Sequence, residues 1–197
     1  MPARDLTARY GTVAMTFHWV IAALVLLNLY FGLTFDDYPK GDPTLLKVVM
    51  IHKSIGLTVL VLSVLRLGWR LVTPIPPLPA SMGFGLRFLA RTTHSLLYFL
   101  IIAIPLSGWI WTSSSPLGLP IRYFGLFDWP LVPYFANLPR AEKIPLNHNL
   151  HELHMYLAWS ALLLIALHVS AALYHHFVRR DDVLRRMIPG TTLKGME

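Results

Sequence analysis

Four stretches of this chain are apolar for long enough to cross a lipid bilayer, and nothing else in the sequence restricts its fold as much. Crossing a hydrocarbon core of about 30 Å takes about 20 mostly apolar residues in a helix. Uninterrupted windows of that length run over residues 16–35, 50–71, 94–112 and 154–174. Within lipid only helices and closed barrels satisfy every backbone N–H and C=O. None of the windows alternates apolar with polar residues as a barrel strand does, so each reads as a helix. The expectation is an all-α integral membrane four-helix bundle, one domain over residues 1–197, with helices at about residues 12–35, 47–71, 88–112 and 148–176. A mean hydropathy of +0.53 agrees, because it exceeds that of ordinary soluble domains. The opening MPARDLTARYGTVAMTFHWVIAALVLL has the charge order of a signal peptide. Its apolar run is too long for one and no A-x-A pattern follows, so it reads as a retained first helix.

Orientation follows from where Lys and Arg fall outside the spans. One side carries Arg4, Arg9, Arg70, Arg87, Arg91, Arg179, Arg180, Arg185, Arg186 and Lys194. The other carries Lys40, Lys47, Arg122, Arg140 and Lys143, offset by Asp36, Asp37, Asp42, Asp128, Glu142 and Glu152. Both termini are therefore expected in the cytoplasm. The net charge of +7 is this asymmetry rather than a nucleic-acid footprint, so no nucleic-acid partner is expected. TPIPPLPASMGFG cannot continue a helix and ends the second span. The connection over residues 113–146 is rich in aromatics and prolines. It reads either as an irregular loop or as an interfacial segment with Tyr123, Trp129 and Tyr134 at headgroup level.

The chain has no cysteine, which excludes iron–sulfur clusters, thiolate zinc sites and thioether-linked haem. Imidazole is the strong ligand present in quantity, with nine histidines. His18 lies in the first span, His52 at the outer end of the second, and His154 and His168 share the fourth, fourteen residues apart. That spacing is just under four turns, about 21 Å, on nearly one helix face. With alternating helix directions His52 and His154 fall at the outer depth, His18 and His168 at the inner. Two such pairs are what a bundle holding two haems requires, whereas a bare transition metal wants three or four convergent ligands. Gly56, one turn after His52, leaves room for a flat macrocycle. Arg66, fourteen residues after His52, either meets an anion such as a haem propionate or snorkels to the interface. In NHNLHELH, His148 and His151 are expected to be solvated beside His154, although zinc on that helix face is the competing reading. His94 opens the third window, where it competes as an inner ligand or a substrate-binding residue. His175, seven residues past His168, shares its face and can exchange hydrogen bonds with a small molecule there.

The segments FHW, IHKSIG with VLRLGWR, HSLLYFLIIAIPLSGW and LHELHMYLAWSALLLIALHVSAALYHHFVRRDDVLRRMIPG together resemble the bacterial di-haem cytochrome b561 family, over nearly all of residues 8–190. The resemblance implies two b-type haems in a four-helix bundle of the bacterial inner membrane, with His18, His52, His154 and His168 as axial ligands. It also implies a superoxide oxidase that passes electrons from superoxide at the outer face to ubiquinone, with His175 near the quinone. His94, by its own position at that end, is the next quinone candidate. The long connection over residues 113–146 departs from the shorter members of the family.

Three classes of function compete on these residues. The first is an oxidoreductase, with superoxide as donor and ubiquinone as acceptor. The second is an electron-transfer cytochrome b subunit that serves a separate redox partner protein, docked through the long outer connection. The third is an ion or metal transporter with a histidine relay; it lacks an acidic residue within the spans and a broken helix pair.

Overall fold

In the computed structural model, which describes residues 9–39, 41–78, 82–191 and 193, four long helices run in alternating directions. They are α1 (Thr12–Leu33), α2 (Pro43–Val72), α3 (Phe84–Ser113) and α5 (Arg140–Tyr174). All four are long and apolar enough to cross a membrane. The connection before α5 holds a two-stranded antiparallel hairpin, β1 (Ile121–Tyr123) with β2 (Phe127–Trp129), and a single-turn helix α4 (Pro133–Ala136). Arg4, Lys40 and Lys194, three of the charges used to orient the chain, lie outside the described residues.

The helices α2, α3 and α5 start before their apolar windows because local chemistry outside the hydrocarbon sets their first turns. Asp42 caps α2, accepting from the Thr44 amide at 2.7 Å, with Pro43 in the first turn where its missing N–H costs nothing. The Thr44 backbone bond also holds the Asp42 carboxyl below its ordinary range. At the far end Thr73 is extended, as a residue before proline must be, and α2 stops. Helix α3 begins at Phe84, so His94 lies well inside it rather than at its start. Helix α5 begins at Arg140 and takes in residues that read as loop.

The bundle packs as a chain of neighbours, α1 on α2, α2 on α3, and α3 on α5. Its small core centres on Ile21, Ile55 and Val59. Outward faces carry exposed apolar side chains such as Leu26, Leu65, Leu163 and Leu167, which lipid covers in a spanning bundle.

The hairpin is fastened to the back of α2. Ser54 Oγ accepts from the Phe124 amide at 2.8 Å, and the Thr58 hydroxyl lies 2.9 Å from that of Tyr123. Trp109 Nε1 donates to the Pro130 carbonyl, and the Val132 amide donates to Ser113 Oγ. These partners come from two helices, which is how strands of three residues persist. At the opposite end the chain after α5 folds back under the bundle. Trp19 Nε1 donates to the Met187 carbonyl at 2.6 Å, Arg9 to the carbonyls of Thr191 and Ile188, and Arg186 to the Pro77 carbonyl at 2.7 Å.

Ser54 is fully buried. Ser54→Ala strands the Phe124 N–H at a cost of about 1–3 kcal/mol. Amide exchange should then accelerate in the hairpin and not in α3 or α5. Unchanged protection at Phe124 and Leu126 would show that the hairpin is held some other way.

Candidate cofactor site

Helix α5 packs closely on α3 and faces α1 and α2 across the bundle interior, and the histidines meet in that space. His52 of α2 and His154 of α5 have ring centroids 6.3 Å apart at an interplanar angle of 78°. Toward the other end, His18 of α1 and His168 of α5 also stand 6.3 Å apart, at 74°. The structure thus brings together the two pairs that the spacing predicts, and both pairs have the same separation.

The pair of His52 with His154 is fixed by backbone carbonyls. His52 Nδ1 lies 3.0 Å from the Asn28 carbonyl, and His154 Nδ1 lies 3.1 Å from the Ile104 carbonyl and 3.0 Å from Ser107 Oγ. A carbonyl only accepts, so each Nδ1 carries the hydrogen and each Nε2 keeps its lone pair. That tautomer binds a metal through Nε2, with the second nitrogen oriented by an acceptor. The Ile104 carbonyl also accepts from Ser107 Oγ at 2.8 Å, so the hydroxyl and the imidazole share one acceptor.

A cavity of about 440 Å³ opens beside this pair, lined by His52, His154, Gly32, Gly56 and Gly108 among mostly apolar neighbours. Two of these glycines let the rings come close. A Cβ at Gly32 would stand 3.1 Å from His52 Cε1, and one at Gly108 would stand 3.1 Å from His154 Cε1. Gly56 is different: a Cβ there would meet Asn28 Nδ2 at 3.5 Å and Pro105 Cβ at 4.0 Å, ordinary contacts, so its lack of a side chain widens the cavity. The Asn28 Oδ1 is buried without a partner at the same place. Sequence reasoning missed Asn28, Gly32 and Gly108. A glycine inside an apolar helix was the signal available for the last two.

The pair of His18 with His168 is built differently. Arg66 Nη2 lies 3.3 Å from His18 Nδ1, and because guanidinium only donates, His18 Nδ1 accepts here. Arg66 also lies over the Tyr98 ring, 5.1 Å from its centroid, and Arg70 lies 4.9 Å from the same ring. Among the described residues no carboxylate pairs with Arg66. His94 stands 5.4 Å from His168, closer than His18 does. No three His, Asp or Glu side chains among the described residues are grouped to hold a bare metal ion.

Other predicted residues fall around these pairs. His151 lines the cavity rim with its side chain 43% exposed, its ring 4.9 Å from that of Trp111 and its Nδ1 3.2 Å from Glu152, and His148 is exposed. Lys53 lines the cavity beside His52. Arg122 is paired with Asp128 at 3.1 Å, and Lys143 donates to the Ala136 carbonyl. His175 ends α5 with its Nδ1 2.6 Å from Asp181 Oδ2.

The fit of such a frame to a metal in a flat ligand is a matter of lengths. A metal–imidazole bond of about 2.0 Å on each side, plus the half-ring to each centroid, fills the 6.3 Å between paired rings. The open cavity and the glycines give the plane of such a ligand its room at the outer pair.

Comparison with known proteins agrees with this frame. The chain matches the family model described as prokaryotic cytochrome b561 over residues 9–190. It is 36% identical to cytochrome b561 homolog 2 of Escherichia coli (strain K12), over 91% of each chain. It is 30% identical to the probable superoxide oxidase CybB of Yersinia pestis, over 92% of this chain and 96% of that one. It is 29% identical to cytochrome b562 of Cereibacter sphaeroides, over 91% and 94%. The chain therefore belongs to the prokaryotic cytochrome b561 family, the multi-pass inner-membrane proteins whose four-helix bundle carries b-type haem for electron transfer.

Proposed function

We propose that this cytochrome holds two b-type haems and moves electrons across the inner membrane from superoxide at the outer face to ubiquinone at the inner face. The observation that carries the proposal is the equal 6.3 Å separation of His52 from His154 and of His18 from His168. In this reading the first pair ligates the outer haem through Nε2 and the second pair the inner haem. His94, 5.4 Å from His168, is too close to share an iron with it in line. Arg66 then leaves His18 Nδ1 and answers a propionate, the anion its buried charge otherwise lacks. Haem supplies a one-electron carrier at each depth, about 21 Å apart between metal centres.

The net reaction takes two superoxide ions, one quinone and two protons to two dioxygen molecules and one quinol. At the outer end Lys53 offers a positive charge in the cavity wall next to His52, while Arg122 is largely offset by Asp128. The relative named as a superoxide oxidase supports this direction of flow. A second reading, a subunit serving a redox partner protein, has one observation in its favour. The hairpin tip exposes Leu126 and Phe127 beside the outer site. Reduction of the purified protein by superoxide alone separates the two, since the second reading gives none.

Orientation belongs to the same proposal. With the hairpin end outside, both termini lie in the cytoplasm, the side that carries Arg9, Arg87, Arg91, Arg179 and Arg186. A reporter fused after Gly190 should be active only as a cytoplasmic reporter; periplasmic activity would reverse every depth assigned here.

Single alanine changes at the four histidines test the ligand pairs. His52→Ala and His154→Ala should each perturb or remove the same haem, and His18→Ala and His168→Ala the other. Loss of the inner haem in His94→Ala with its retention in His18→Ala would transfer the ligand role to His94.

Superoxide steering is tested by salt. Attraction over a Debye length of about 8 Å weakens as ionic strength rises. Raising salt or making Lys53→Gln should slow haem reduction by superoxide several-fold. A rate indifferent to both would remove the electrostatic part of the proposal.

A further inference from the structure

Helix α5 does not end in a simple cap. Its last turn widens into a π turn over His175–Arg179, Arg180 takes the left-handed conformation at φ 52 and ψ 36, and the next residue turns back on the helix. That residue is Asp181. Its amide donates to the His175 carbonyl at 3.2 Å, its Oδ1 accepts from the Val183 amide at 3.1 Å, and its Oδ2 accepts from His175 Nδ1 at 2.6 Å. The two side chains are 15% and 24% exposed, so the pair is sheltered, unlike the surface pair of Arg122 with Asp128. The returning segment is held in turn by Trp19, Arg9 and the Pro77 carbonyl, which fixes where Asp181 stands. The neighbouring His176 offers a contrast, with its Nδ1 buried and unpartnered.

We propose that Asp181 is a positioning residue for quinone reduction, acting only through His175. The inference rests on the reading of His175 as the residue beside the quinone. A carboxylate can only accept, so the 2.6 Å bond places the hydrogen on Nδ1 and leaves Nε2 as the working atom. In the neutral ring Nε2 accepts; in the protonated ring it donates, with the positive charge answered by the carboxylate on the far side. This is the division of labour by which a buried aspartate serves a catalytic histidine elsewhere, holding tautomer and orientation while stabilising the imidazolium.

The chemistry asks for such a group. A quinone becomes a quinol by gaining two electrons and two protons, with an O–H bond formed at each carbonyl oxygen. For one of these, the Nε2–H bond breaks as the O–H bond forms, and the neutral ring regains a proton from cytoplasmic water; the other oxygen takes its proton from that water directly. The electrons arrive through the inner site. His94, the other candidate at this end, faces His168 at 5.4 Å and has no carboxylate partner among the described residues.

The experiment uses the haem-loaded protein and follows reoxidation of the reduced haems by a short-chain ubiquinone. Asp181→Asn should slow the rate at saturating quinone by roughly tenfold or more. The concentration dependence and the haem spectrum should change little, and Asp181→Glu should recover most of the rate. In a His175→Ala background Asp181→Asn should add nothing. Nitrogen NMR of His175 should show the Nδ1–H tautomer in the wild type and its loss in Asp181→Asn. Wild-type rates in Asp181→Asn together with slow His175→Ala would overturn the inference and leave the quinone site standing. Wild-type rates in His175→Ala would remove the quinone reading itself. Equal slowing by Asn and Glu, with haem loss, would make Asp181 a structural cap and overturn the positioning role.

Discussion

The site at His52 and His154 depends on a hydrogen bond from an imidazole to a helix carbonyl. Inside a bilayer a polar ring without partners is costly, and most backbone carbonyls are already committed to their own ladder. A carbonyl has two lone pairs, however, so Asn28 and Ile104 can each serve the helix and a histidine together. The same bond that makes His52 and His154 tolerable in the bundle also chooses their tautomer. One contact thus carries both solubility in the bundle and readiness for a metal.

This dependence explains why the local sequence is so particular around the outer pair. The rings press against the backbone of α1 and α3, where Gly32 and Gly108 allow the approach. On the back of the same stretch of α2, Ser54 and Thr58 hold the hairpin, so α2 is committed on two faces at one depth.

Much of this was legible in the sequence, and the parts that were not share a cause. Four spans follow from the hydrocarbon thickness, and the pairs follow from fourteen-residue spacing on helices of alternating direction. Both are consequences of regular geometry. The hairpin was hidden because residues 121–123 and 127–129 are too short to show a strand period and are held by side chains of α2 and α3. Asn28 was hidden because its backbone, not its side chain, orients His52. Asp181 was not singled out, since only the π turn brings it back to His175. Contacts made by departures from regular helix leave no period to find.

The two ends of the bundle also differ in how ready they are. At the outer pair both Nδ1 hydrogens are spent on carbonyls, the cavity is open, and little must move for a ligand plane to enter. At the inner pair Arg66 donates to the nitrogen that would need to carry a hydrogen. In the proposed reading, holding a haem there would require Arg66 to find an anion and His18 to change tautomer. A propionate would answer both, because a guanidinium drawn away from His18 Nδ1 would leave that nitrogen free to carry the hydrogen. The charge that makes the inner end costly to build is then the charge that selects an anionic cofactor for it.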